Sequence, residues 1–91
     1  MAKQAPIALG VGSESDLPKL EDARAVLKAL EIPLEVRVIS ANRTPDALRE
    51  WIDTAVPNGL MVIMAAAGMA AHLAGACAAH TTIPVIGIPV V

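Results

Sequence analysis

Four short apolar runs set the frame for everything else: Ile7–Val11, Leu34–Ile39, Leu60–Ala66 and Val85–Ile88, each bounded by proline, glycine or polar residues. Every pair of neighbouring runs is separated by a segment long enough to hold a helix. Such strands cannot pair as tight hairpins, so the order β-α-β-α-β-α-β predicts a parallel sheet with right-handed crossovers. The expected strand order is 2-1-3-4. In that order the connection from the first strand to the second runs opposite in direction to the two that follow. Helix 1 is therefore expected on one face and helices 2 and 3 on the other, leaving the first face short of cover over strands 3 and 4.

The helical segments read from their periodicity. Leu17, Leu20, Ala23, Leu27 and Leu30 recur at spacings of three and four, with Lys19, Glu21, Asp22, Arg24 and Lys28 elsewhere. Pro18 is tolerated only in a first turn, which places the helix start near Asp16. Thr44-Pro45 reads as an N-cap followed by proline at the first helical position, and Leu48, Trp51, Ile52 and Ala55 form a core-facing stripe. The lone Trp51 then reads as packing. Ala70–Ala79 is the third helix, rich in alanine. Together these elements predict an α/β, flavodoxin-like three-layer sandwich whose Leu34–Ile39 strand, with Glu35 and Arg37 alternating, lies at an edge.

Length and charge narrow the function classes. Ninety-one residues allow a single small domain, with Met1–Ala5 expected as a disordered lead-in. A net charge of −2, from 7 basic against 9 acidic residues, gives no footprint for nucleic acid or an anionic membrane. Cys77 stands alone, so no internal disulfide forms and the cytoplasm is the expected compartment. The 21-residue stretch Gly59–Ala79 is long enough to span a bilayer. Strand-like Met61–Met64, the break at Gly68 and the scarcity of Leu, Ile and Phe argue against that reading.

Ligands in such sheets bind at the strand carboxyl ends beside the point where strand order reverses. Three loops are expected to meet there: Gly12–Asp16, Ser40–Arg43 and Ala65–His72. In the first, glycines let backbone approach a ligand, and Ser13 and Ser15 add hydroxyl donors at a helix start. The same stretch also fits an ordinary turn in which Ser15 or Asp16 caps. Arg43 can fork onto a phosphate and Asp16 can accept from ribose hydroxyls; equally, Arg43 can pair with a surface carboxylate and Asn42 can serve as a turn residue. His72 fits either a structural group or an acid/base, and no acidic cluster suggests a metal.

Four motifs, taken in order, carry a resemblance. Gly12-Ser13-Glu14-Ser15-Asp16, Ser40-Ala41-Asn42-Arg43-Thr44-Pro45, Ala67–Gly75 and Pro84-Val85-Ile86-Gly87-Ile88-Pro89 together resemble the PurE family, the carboxyaminoimidazole ribonucleotide mutases of purine synthesis. The likeness runs from about Ile7 onward and corresponds to the N-terminal half to two thirds of the family's chain. It implies a flavodoxin-like fold, an octamer, and transfer of a carboxylate from the exocyclic amine of an aminoimidazole ribonucleotide to its ring carbon, with no metal or organic cofactor. By position it implies that Ser13, Asp16 and Arg43 bind the ribose phosphate, that Ser15 assists, and that Ser40, Gly68 and the loop ending at His72 adjoin the substrate. Two positions depart from the family. Asn42 stands where the proton-shuttling histidine is expected, and asparagine cannot titrate near neutral pH. Ala66 stands where glycine is frequent, its methyl expected to crowd the base pocket. Two functions therefore remain in view: a mutase impaired at Asn42, and a non-catalytic ribonucleotide-phosphate binding or assembly module.

Overall fold

The computed structural model describes residues 4–68 and 72–90. Strands β1 (Ile7–Val11), β2 (Leu34–Val38), β3 (Val62–Ala67) and β4 (Val85–Pro89) alternate with helices α1 (Glu21–Ala29), α2 (Pro45–Ala55) and α3 (His72–Ala78). All pairings are parallel and the order is β2-β1-β3-β4, as the connection lengths predict. The expected start of helix 1 near Asp16 is instead a 3-10 segment over Glu14–Leu20 that carries Pro18, and the α-helix begins only at Glu21. Proline lacks an amide hydrogen and fixes φ, so this end of the segment takes the tighter turn. Gly59–Ala79 holds β3 and the seven-residue α3, and no helix among the described residues is long and apolar enough to cross a membrane.

Side chains alternate along each strand, so the sheet carries two cores. One face gathers Ala8, Ile52, Leu60, Ile63, Leu73 and Cys77 beneath α2 and α3. The other holds a smaller buried set, Leu9, Val11, Leu20 and Ala66, with Met64, Ile88 and Val90 only partly covered. Helix α1 contributes no buried residue, and Leu30 is 63% exposed. A hollow of about 510 Å³ separates it from Leu34 and Val36 of β2. Ile86, paired with Met64 on this same face, is 51% exposed. The one-sided cover thus follows from topology: two crossovers place their helices on the first face and one places its helix on the second.

Trp51 packs into the first core and its indole N–H donates to Glu35 Oε1 at 3.0 Å. Gln4 Nε2 donates to the same oxygen at 3.2 Å, and the Arg37 guanidinium lies 5.4 Å above the indole ring. The alternating Glu35 and Arg37 of the edge strand therefore finish the core's rim.

Cys77 is 1% exposed, and burial pushes its thiol up to about 11 from 9.0. In the unfolded chain the thiol ionises first, so between those values the unfolded state binds fewer protons than the folded one and stability falls as pH rises. Below pH 9.0 the contribution is fully present. We expect a loss on the order of 2–3 kcal/mol by pH 11. Urea unfolding at pH 8 and above pH 10 should show this slope in the parent chain and not in Cys77→Ala.

Candidate functional site

At the carboxyl ends of β1, β2 and β3 lies a cleft of about 480 Å³. Although the hollow beside α1 is slightly larger, it sits between a helix flank and a strand and gathers no loop from the strand ends. The strand-end cleft receives all three expected loops. Its lining includes Gly12, Ser13 and Asp16 from the first, Ser40, Ala41 and Asn42 from the second, and Ala67, Gly68, His72 and Leu73 from the third.

The first loop continues the sheet briefly, with Gly12 N–H donating to Ala66 O at 3.3 Å. Ser13 then takes an extended backbone, φ −152 and ψ 143, and caps the 3-10 segment by accepting the Ser15 N–H at 3.3 Å. The Ser13 and Ser15 hydroxyls lie 2.9 Å apart. Ser15 is thereby engaged with its neighbour and does not line the cleft, whereas Ser13 does. Asp16 is part-buried, its carboxylate 3.6 Å from Lys19 Nζ. Gly12 has a different significance from the usual turn glycine. It is not in the left-handed region, and a Cβ built on it would meet nothing within 4 Å. The absent side chain leaves open space in the cleft and answers no backbone need.

In the second loop the Ser40 hydroxyl oxygen accepts the N–H groups of Asn42, at 3.3 Å, and Arg43, at 3.0 Å. Its own hydrogen remains to donate outward. Thr44 occupies the N-cap position with Pro45 after it, as the sequence predicts, yet its side chain caps nothing in α2. The hydroxyl turns back, donating to Ser40 O at 3.1 Å and accepting the Ser40 N–H at 3.3 Å. Asn42 lines the cleft; Arg43, next along, is exposed, lies outside the lining, and forms no ion pair among the described residues.

The third loop leaves β3 at Gly68, where a Cβ would come within 3.2 Å of Val90 O. Glycine permits that approach, and Val90 N–H donates to Ala67 O at 3.1 Å. Residues 69–71, the centre of the alanine-rich loop, lie outside the described residues. His72 is exposed at the start of α3 and lines the cleft. Ala66 is not where its expected effect requires. Its methyl is fully buried in the second core with Leu9, Val11 and Leu20, so it does not narrow the cleft. Strand parity decides this: Ala65 and Ala67 point to the opposite face.

Six candidates from the sequence thus share one lining: Ser13, Asp16, Ser40, Asn42, Gly68 and His72. Gly12, Ala41, Ala67 and Leu73 join them; the first three lie in the expected loops, Leu73 follows directly, and only Gly12 had a chemical reason of its own to be singled out, a glycine ahead of a serine-rich turn. The lining offers hydroxyl and amide donors, one carboxylate and one imidazole, a set suited to a phosphorylated sugar with a polar ring. Among the described residues no three His, Cys, Asp or Glu side chains are grouped to hold a metal.

Comparison with known proteins adds lineage. A family model described as AIR carboxylase matches residues 6–91. The N5-carboxyaminoimidazole ribonucleotide mutase of Haemophilus influenzae is 49% identical over 90 residues, covering 99% of this chain and 55% of its own length. The mutase of the same name from Pyrococcus abyssi is 50% identical over 84 residues, covering 92% of this chain and 48% of its own. A phosphoribosylaminoimidazole carboxylase of Schizosaccharomyces pombe is 48% identical over 84 residues, which make up 15% of that protein. The chain spans about half the length of the two mutases.

Proposed function

Because this chain belongs to the AIR carboxylase family, we propose that it binds an aminoimidazole ribonucleotide in the strand-end cleft and belongs to the mutase chemistry of purine synthesis, acting in the cytoplasm without a metal or organic cofactor. The observation that carries this reading is the gathering of Ser13, Asp16, Ser40, Asn42 and His72 around a cleft that Gly12 leaves open. In this reading the phosphate is held by Ser13 at the cleft and by Arg43 from outside its lining, next in the chain to Asn42, its guanidinium without a competing ion pair among the described residues. Asp16 accepts from the ribose hydroxyls. The base lies toward Asn42, Gly68 and His72.

In the reaction, the bond from carboxylate carbon to exocyclic nitrogen breaks, the nitrogen gains a proton, and carbon dioxide is released into the cleft. The ring carbon then attacks it and a new carbon–carbon bond forms. The proton on that ring carbon must leave to restore the aromatic ring, so the net change is an isomerisation. Among the described lining residues Asp16 and His72 are the side chains that carry an acid/base group. Asn42 can hold the substrate but cannot perform this step. That chemistry favours, at the level of turnover, a second reading as a non-catalytic ribonucleotide-phosphate binding or assembly module; the mutase and the binding module both require the ribonucleotide to bind, and the assembly module does not.

Titration with aminoimidazole ribonucleotide tests the shared premise. Arg43→Ala is expected to lower affinity by about ten- to a hundredfold, the worth of a charge-assisted forked contact. An unchanged titration would remove Arg43 from the site.

The partly covered second face supports a further part of the proposal, that copies of the chain associate, as the octamer of the resembling family implies. Ile86, Met64 and Val38 of that face are exposed or only partly buried. Apolar patches beyond about 400 Å² usually mark interfaces.

A further inference from the structure

The hydroxyl of Thr44 lies at the start of α2 but serves the loop before it. A threonine at this position ordinarily accepts an amide hydrogen of the first helical turn. Here that bond is not made, and the hydroxyl both donates to Ser40 O and accepts from Ser40 N–H. The Thr44 amide also donates to Ser40 O at 3.1 Å, so residues 40 and 44 are joined by three hydrogen bonds. Inside that clasp the Ser40 hydroxyl oxygen holds the amides of Asn42 and Arg43. Ala41 packs against the larger core, but Asn42, Arg43 and Thr44 are all exposed, so over this second half of the turn hydrogen bonds set the shape.

We infer that Thr44 is a positioning residue: its hydroxyl fixes the Ser40–Thr44 loop so that Arg43 is presented to the phosphate of a bound ribonucleotide. The inference rests on the ribonucleotide reading of the cleft. A guanidinium on a loose five-residue loop must be ordered when the ligand arrives, and that entropy is subtracted from affinity. The clasp places the cost in folding instead. Because α2 takes no capping bond from Thr44, removing the hydroxyl loosens the loop without uncapping the helix.

Calorimetric titration of the full chain with ribose 5-phosphate tests this with three variants. Thr44→Val, which keeps the shape and removes the hydroxyl, is expected to bind about five- to tenfold more weakly, with a melting temperature lowered by no more than several degrees because the clasp itself is lost. Thr44→Ser, which keeps the hydroxyl, should bind within about twofold of the parent, the latitude left by one lost methyl. In an Arg43→Ala background Thr44→Val should add almost nothing, because its effect passes through Arg43. Equal affinity of Thr44→Val and the parent overturns the inference. So does failure of Thr44→Ser to bind, or a full additive loss in the Arg43→Ala background. If the parent binds neither ribose 5-phosphate nor aminoimidazole ribonucleotide, the ribonucleotide reading fails and takes this inference with it, an outcome distinct from a parent that binds and a Thr44→Val variant that binds equally well; a parent that binds only the whole ribonucleotide is titrated with that ligand and judged by the same three variants.

Discussion

Replacing Asn42 with histidine is expected to raise mutase turnover by about 100- to 10,000-fold over the parent chain, the usual contribution of a positioned general base, while leaving ribonucleotide affinity nearly unchanged. The two effects separate because the groups separate. Phosphate binding is proposed for Ser13 and Arg43, whereas Asn42, which shares the cleft lining with Gly68 and His72, is proposed to face the base. An amide side chain has the hydrogen-bonding groups to orient a substrate but no proton to exchange near neutral pH. The new imidazole would stand on a loop whose amides at residues 42 and 43 are tied to Ser40. Stopped assays on the parent, on Asn42→His, and on Asn42→His extended by the remaining segment of a mutase relative provide the measurement. High turnover in the unmodified chain would move the acid/base role to His72, which His72→Ala would then abolish. Silence even in the extended Asn42→His form would favour the binding module.

A second large effect is expected in the core. Ile63→Ala should cost about 2–5 kcal/mol, the range for truncating a well-packed aliphatic side chain. Ile63 is fully buried in the central strand β3, with β1 on one side and β4 on the other. It belongs to the larger core beneath α2 and α3, where neighbours on both elements limit collapse into the cavity. A chain of 91 residues has a total stability of about 5–14 kcal/mol, so the substitution removes a large share of it. Urea unfolding should show the midpoint falling steeply. Ile86 provides the contrast, since it is half exposed on the second face. Ile86→Glu is expected to change monomer stability little and to shift sedimentation toward the monomer if association covers that face. A parent chain that sediments as a monomer at high concentration, without binding a hydrophobic dye, would contradict the association proposal.

Much of this was legible in the residues because periodicity is a local property that reports which side of an element is buried. The spacing of Leu48, Trp51, Ile52 and Ala55 announced the stripe that α2 buries, and the length of each connection forced parallel pairing. The meeting of three loops at the strand ends follows from the same topology, so six of the candidate residues could be gathered before any geometry was known. Hydroxyl direction is another matter. A serine or threonine oxygen turns toward whichever donor or acceptor chain closure brings near, and that depends on residues outside any local pattern.

The amino-acid sequence by itself thus determined the strand order, the two-faced sheet with its uneven cover, and the position of the cleft, because hydrophobic period and connection length leave few other arrangements. Only the tertiary structure decided that Ser15 pairs with Ser13 and stays out of the cleft lining, and that Ala66 fills the second core and does not line the cleft. It likewise decided that Thr44 holds the loop behind it and that Glu35 accepts from Trp51. These outcomes turn on single bonds between groups brought together by closure of the fold, and no repeating pattern along the chain encodes them.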